Sequence, residues 1–283
     1  MATDSGRRKI RGIQIIHEDP DVIVIEKSAG VLTCATRRGG EYTVEDALGD
    51  YLRKGQARSR KRAYLVHRLD RETSGVMMVA KSEPVQEYFR DNWNTLTEKT
   101  YLALVEGRLP EKCGVFESLL WEDPATLKVH STKDPRRGKA ARTEYRVVFE
   151  GDGFSLAEVV LKSGRKNQIR VHFAESGHPV VGDAKYGKSK TGQLCLHAWK
   201  LAFIHPHSGK RLAFETGLPK FAQRLLPAAG DPRGQTRSAD GHDAAADVAD
   251  FQQRRPCAQP RAESGDQHRP PASGIGQRQR RRT

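Results

Sequence analysis

An α+β fold with a largely antiparallel sheet is expected for this 283-residue chain. Two observations point there. Strand-like runs come in pairs around tight turns, which is how antiparallel neighbours are joined. Only a few helical patterns interrupt those runs, so strands and helices are not in the regular alternation of a parallel α/β sheet.

The elements follow in order. Ile13, Ile15 and Ile16 precede the turn Asp19-Pro20-Asp21, and the run 22–25 follows it, so residues 13–27 read as a hairpin. Thr43 can N-cap a short helix that lines up Val44, Leu48 and Tyr51/Leu52. Ser82 and Pro84 open a second helix with Val85, Phe89 and Trp93 in line. Residues 99–106 are apolar on both faces and predict a central strand. Residues 142–150 and 154–162 form a second hairpin around Gly151-Asp152-Gly153. A helix is expected over 167–175, stopped by Gly177, with strands dominating from there to residue 216.

Composition changes near residue 229. Residues 230–283 hold ten Arg, no Lys and almost no large apolar residues. Such a segment cannot bury enough surface to offset its ordering entropy, so 229–283 is expected to be a disordered tail behind a folded domain of residues 1–228. A tail that binds RNA usually mixes Lys with Arg, so arginine without lysine is odd for one. A shifted reading frame in a G+C-rich gene would produce this mixture instead, and the DNA of the locus decides whether the tail is functional.

The chain carries a net charge of +14 and a pI near 9.8, with 36% hydrophobic residues. A basic surface suits a polyanionic partner. No apolar run is long enough to span a bilayer and no secretory leader is visible, so a cytoplasmic protein without membrane attachment is expected. Cys34, Cys113, Cys195 and Cys257 are scattered and read as four free thiols. His197, His205 and His207 match no zinc spacing, so no metal is expected.

The run 67–75, HRLDRETSG, carries the chemistry. If residues 64–70 are extended, Leu65, His67 and Leu69 share one face while Arg68 and Asp70 share the other. Asp70 then sits among cations at a strand end, a credible nucleophile if the rest of the chain supplies a partner. Taken alone, a surface ion pair would be the simpler account of one Asp.

HRLDRETSG resembles the catalytic-aspartate motif of the RluA family of pseudouridine synthases, which isomerise uridine in RNA to its C5-glycoside. EKTYLA (98–103) resembles the second motif and SGRKNQIRVH (163–172) the third. LCLHA (194–198) resembles a further strand of the family, and the likeness spans about residues 13–218. It implies a pseudouridine synthase fold whose flanking helices and loops surround an RNA-binding cleft. Asp70 would be the catalytic carboxylate, and Tyr101 would stack on the base and take part in C5 deprotonation. Arg170 would pair with Asp70 in a guanidinium fork. Arg68, Arg165, Gln168 and Leu196 would contact RNA, Leu196 by lining the base pocket and Arg68 by filling the space a flipped base leaves. Asn167 stands where the family often has His.

No metal or redox cofactor is needed for this isomerisation. The basic stretches 53–62 and 133–142 read as loops that contact phosphates. Large-subunit ribosomal RNA is the expected substrate and transfer RNA the alternative, with the enzyme a monomer. No S4 domain fits ahead of residue 13, and the RsuA branch differs at the aspartate and third motif. A catalytically silent RNA-binding protein of the same fold would not need Asp70, Tyr101 and Arg170 together. A hydrolase using Asp70 would need a second carboxylate at useful spacing, which is not visible.

Overall fold

The computed structural model describes residues 9–35, 39–56, 58–188 and 192–225. The expected tail, 229–283, lies outside the described residues.

The elements are β1 (Lys9–Ile10), β2 (Ile13–Glu18), β3 (Val22–Lys27), α1 (Val44–Arg53), β4 (Tyr64–Leu65), β5 (Ser74–Ala80), α2 (Glu83–Leu96) and β6 (Thr97–Glu106). Then come β7 (Cys113–Glu122), β8 (Val129–Thr132), β9 (Lys139–Gly151), β10 (Phe154–Leu161), α3 (Gln168–Glu175), β11 (Leu196–Ile204), β12 (Arg211–Glu215) and α4 (Lys220–Gln223). The strands form one 12-stranded sheet in the order β1-β2-β3-β5-β11-β6-β10-β9-β7-β8, with β12 on β11 and β4 on β5. Among the described strands only β5 and β11 pair in parallel. The expected α+β, mostly antiparallel architecture is therefore the observed one.

Local chemistry explains the expected elements. Thr43 and Asp46 close a reciprocal capping box at α1. Pro84 lies in the first turn of α2, and Phe89 of that helix is fully buried, edge-on to Phe203 of β11. β6 is buried on both faces because β11 and β10 flank it. No helix among the described residues is long and apolar enough to cross a membrane.

Four expectations need correction. Strands β7 and β8 were not foreseen; they form the far edge of the sheet, where half-exposed residues blur the alternation that marks a strand. The basic stretch 133–142 is not all loop, since its last four residues begin β9. Residues 176–188 and 192–195 are irregular rather than strand-rich, except for a bridge at Val180, and they build one wall of the site. Of the cysteines, Cys34 and Cys195 are free, whereas Cys113 is disulfide-bonded, so the expectation of four free thiols fails there.

Two glycines bring distant segments together. Gly75 has φ +118°, and a Cβ there would meet the Ala198 carbonyl oxygen at 2.1 Å. Only glycine lets the start of β5 lie against β11, which carries Leu196 beside the turn that holds Asp70. Ser74 Oγ and His197 Nδ1 lock the join at 2.8 Å, and His197 Nε2 meets Thr216 Oγ1 at 2.7 Å. Gly182, with φ +76°, passes the backbone of Gln193 so closely that a Cβ would lie 2.2 Å from its carbonyl oxygen. That crossing places Asp183.

Candidate active site

Asp70 stands in a turn after β4, between two hollows. One is a cavity of about 60 Å³ lined by Arg68, Asp70, Tyr101, Arg165, Arg170 and Leu196 among others. The other is an open cleft of about 830 Å³ bounded by Gly30, Arg71, Glu72, Lys166, Lys185 and Gly192, with Asp70 at the shared wall. Arg68 and Asp70 face the cavity together, as the alternation of an extended segment implies, although regular strand pairing ends at Leu65. His67 points the other way. Its ring stacks on Trp93 at 4.5 Å, and its Nε2 accepts the Met78 N–H at 2.9 Å.

The Asp70 turn is clamped from behind by residues 27–33. Thr33 Oγ1 donates to the Leu69 carbonyl at 2.8 Å and accepts the Leu69 N–H at 3.3 Å. Lys27, fully buried, donates to the carbonyls of Ser28, Val31 and Arg71. Burial pulls its ammonium down to about 8, while Glu72 and Asp70 act in the opposite sense. Thr73 N–H closes the turn on the Asp70 carbonyl at 3.1 Å.

Arg170, on α3, reaches Asp70 Oδ2 with Nη1 at 3.1 Å. The expected fork with Asp70 is not formed. The two-pronged contact is with Asp183, through Nε at 2.7 Å and Nη2 at 2.8 Å. The reason is geometric: Asp183, with no side-chain exposure, lies flush with the guanidinium edge, and Asp70 takes the remaining nitrogen. Burial alone would lower the Arg170 pKa, but Asp183 and Asp70 raise it on balance. Burial would raise Asp183, and the bonds from Arg170 and from the backbone of Tyr186 and Lys185 pull it down on balance. Arg170 is thus a fixed cation between two carboxylates.

Asn167 is the second group on Asp70. Its Nδ2 donates to Asp70 Oδ2 at 2.6 Å. Sequence reasoning marked it only as a departure from the family's usual residue, and it missed Asp183 altogether. Both lie far from Asp70 in sequence, so no local pattern reveals the contact.

Tyr101, on β6, and Leu196, on β11, are buried neighbours in the cavity wall, as their strand register, Ala103 opposite Leu196, requires. Burial and the Asp70 charge both raise the Tyr101 pKa, so its phenol is neutral. Arg165 is exposed at the cavity rim and donates through Nε to the Ala140 carbonyl at 3.0 Å. Gln168 departs from its expected role. Its Nε2 donates to the Arg142 carbonyl and Thr143 Oγ1, and its Oε1 accepts from Ser163 Oγ and Arg165 N–H. All four of its hydrogen-bonding positions are filled by protein. It braces the cavity wall and has nothing left to offer RNA.

Among the described residues one group of possible metal ligands converges, Asp19, Asp21 and His205, within 4.8 Å of one another. None lines either hollow. His205 Nδ1 accepts the N–H groups of His207 and Ser208, which leaves its proton on Nε2, facing Asp19 at 3.3 Å. A metal on Nε2 would have to displace that proton. The group reads as a hydrogen-bonded tie between the β2–β3 and β11–β12 turns.

With Asp70, Tyr101, Arg170 and Leu196 brought to one cavity from four elements, the comparison with known proteins decides the family. A family model described as RNA pseudouridylate synthase matches residues 21–175. The chain belongs to that family. A ribosomal large subunit pseudouridine synthase D of Nitrosomonas europaea is 35% identical over 230 residues, covering 76% of this chain and 65% of that protein. An uncharacterized RNA pseudouridine synthase of Bacillus subtilis is 31% identical over 217 residues, covering 76% of this chain and 75% of the relative. The chain thus spans slightly under two thirds of the Nitrosomonas relative's length. These relatives support the RluA type. The human protein RNA pseudouridylate synthase domain containing 1 shares the fold, with a TM-score of 0.62 at 22% identity over 79% of this chain and 94% of that one.

Proposed function

We propose that this chain is a pseudouridine synthase that isomerises uridine in ribosomal RNA, with Asp70 as its catalytic carboxylate. One observation carries the reading. Asp70 is held by Arg170 and Asn167 through a single oxygen, Oδ2, at the wall of a cavity that Tyr101 and Leu196 line. The other oxygen receives no hydrogen bond among the described residues and is the one available to a substrate.

The chemistry needs a carboxylate at the glycosidic carbon or the base ring. It also needs a cation to keep that carboxylate ionised, a platform for the turned base, and a route for the C5 proton. Asp70 supplies the first, whether as nucleophile or as stabiliser of positive charge at the sugar. Arg170 supplies the second. Leu196 and the Tyr101 ring form the platform. A neutral phenol cannot take a proton without giving one up. Tyr101 therefore works as a relay: its oxygen receives the C5 proton as its own proton passes to the Asp70 carboxylate, once that group is released. Arg68 and Arg165 at the rim, with Lys166 and Lys185 along the cleft, suit phosphate contacts, and Arg68, which lines the cavity, would fill the gap left by an extruded base. No metal or redox cofactor enters these steps.

Ribosomal RNA is the preferred substrate because the relative named above as synthase D acts, by name, on the large ribosomal subunit. The cytoplasm, as the place where ribosomes are made, is the compartment this reading implies. Release of tritium from RNA labelled at uridine C5 tests the function. Asp70→Asn removes the charge with little change in volume and should reduce release to background while RNA affinity persists. Measurable turnover by that variant would remove Asp70 from the mechanism.

A further inference from the structure

We infer that Asn167 is a positioning residue that selects which oxygen of Asp70 attacks. The inference rests on the proposed role of Asp70 and adds a residue to it.

Asn167 occupies the N-cap of α3, a place where Asn ordinarily folds its side chain back onto the helix N–H groups. Here it makes no such bond. Its backbone is instead in the left-handed region, at φ 53° and ψ 20°, which turns the amide away from the helix and toward Asp70. The residue is 8% exposed, so its amide must be satisfied by protein. The partners fix which way round it lies. Lys185 Nζ, which can only donate, reaches Oδ1 at 3.2 Å. Tyr186 Oη accepts the Val129 N–H at 3.0 Å and lies 3.2 Å from the same Oδ1, so the phenol hydrogen points at Asn167. Oδ1 is therefore the acceptor and the NH₂ group faces Asp70 Oδ2.

The consequence is asymmetry at the carboxylate. Arg170 and Asn167 converge on Oδ2 from two sides of α3's first turn, and both hydrogen bonds stabilise charge on that oxygen. Two hydrogen bonds to one oxygen oppose rotation about the Cβ–Cγ bond, so Oδ1 of Asp70 keeps one orientation. Arg170 alone, with one bond of 3.1 Å, would leave that rotation free. Lys185 strengthens the grip by polarising the amide through Oδ1. The residue type fits the task. Asn tolerates a left-handed backbone better than most side chains, and it carries a donor and an acceptor on one rigid plane.

Asn167→Gly and Asn167→Asp in the full chain test this, with single-turnover tritium release from a large-subunit ribosomal RNA transcript labelled at uridine C5. Glycine suits φ 53°, so the Gly variant should melt no earlier than the parent while its single-turnover rate falls about 10- to 100-fold. The RNA concentration giving half-maximal rate should stay within about threefold, because the amide touches Asp70 rather than RNA. Asn167→Asp keeps the shape and places a second carboxylate on Oδ2. Like charges disfavour joint ionisation, so the acid limb of its pH–rate profile should move to higher pH. A folded Gly variant that turns over within about threefold of the parent overturns the inference. Should the Gly variant fold poorly, an Asp variant with the parental rate and pH profile overturns it equally. A third readout needs no activity. The Asn167 side-chain amide signals in a nitrogen–proton spectrum should titrate at acid pH in the parent and stop doing so in Asp70→Asn. Signals that titrate alike in both proteins refute the contact, whereas a parent that releases no tritium while its amide titrates refutes the proposed function and leaves the contact standing.

Discussion

Replacing Asp183 by Asn should destabilise the fold more than it disturbs any single contact with substrate. Asp183 has no side-chain exposure and Arg170 has 7%. The pair shares two bonds of 2.7 and 2.8 Å, and Asp183 Oδ1 also accepts the N–H groups of Lys185 and Tyr186 at 2.9 and 3.0 Å. An asparagine oxygen can keep the two backbone bonds. Its NH₂ group would then face the Arg170 Nε–H, donor against donor, and the cation would be left with Asp70 as its one neighbouring carboxylate. Breaking a buried pair from one side costs about 3–5 kcal/mol. For a domain of this size each kcal/mol lowers the melting temperature by about 2–4 °C. The expected loss is therefore about 6–20 °C by calorimetry, with tritium release falling because Arg170 no longer holds its place. Arg170→Met added to Asp183→Asn should restore much of the melting temperature, since no buried cation then lacks a partner, and none of the activity. The pair also carries a pH signature. Asp183 is held below its ordinary 3.8, so its stabilisation is present above that pH and lost as pH falls through the lower folded value. The Asn variant should lack this part of the acid sensitivity. A single variant that melts within about 2 °C of the parent would show that the pair is not buried as described and would refute the reasoning.

Three further outcomes are expected. Tyr101→Phe should bind RNA normally and stall before the C5 proton leaves; parental tritium release would exclude the phenol from the relay. Lys27, held down at about 8 by burial, is neutral in the folded state while still protonated in the unfolded chain between about pH 8 and 10. Stability against urea should rise with pH across that window, and Lys27→Met should flatten the rise; an unchanged slope in the variant would place the effect elsewhere. In a reducing buffer, which opens the Cys113 disulfide, deleting residues 229–283 should leave melting temperature and turnover on a short RNA hairpin almost unchanged, and a much earlier melt would show that the segment completes the fold.

Much of this protein was legible as text because its local chemistry is explicit. Thr43 with Asp46 spells a helix start, Asp19-Pro20-Asp21 and Gly151-Asp152-Gly153 spell hairpin turns, and the doubly apolar run 99–106 spells a central strand. Each signal acts over a few residues, so a sequence read in order suffices. The motifs around Asp70, Tyr101 and Arg170 likewise named the family that the relatives show. The edge strands β7 and β8 escaped because partial exposure erases the periodicity that identifies a strand.

What the tertiary structure alone decided is how charge is apportioned around Asp70. Arg170 and Asp183 are thirteen residues apart, and Asn167 and Asp70 ninety-seven. Hydrogen bonds and ion pairs act over about 3 Å, so which groups meet depends on where the chain crosses itself. Those crossings are set by Gly75 against Ala198 and Gly182 against Gln193, contacts that exist only after the sheet has formed. The residue types determined that a carboxylate, a guanidinium and a phenol would be available. Their packing determined that the guanidinium fork belongs to Asp183, that Gln168 is filled by protein, and that among the described residues only Oδ2 of Asp70 accepts a hydrogen bond.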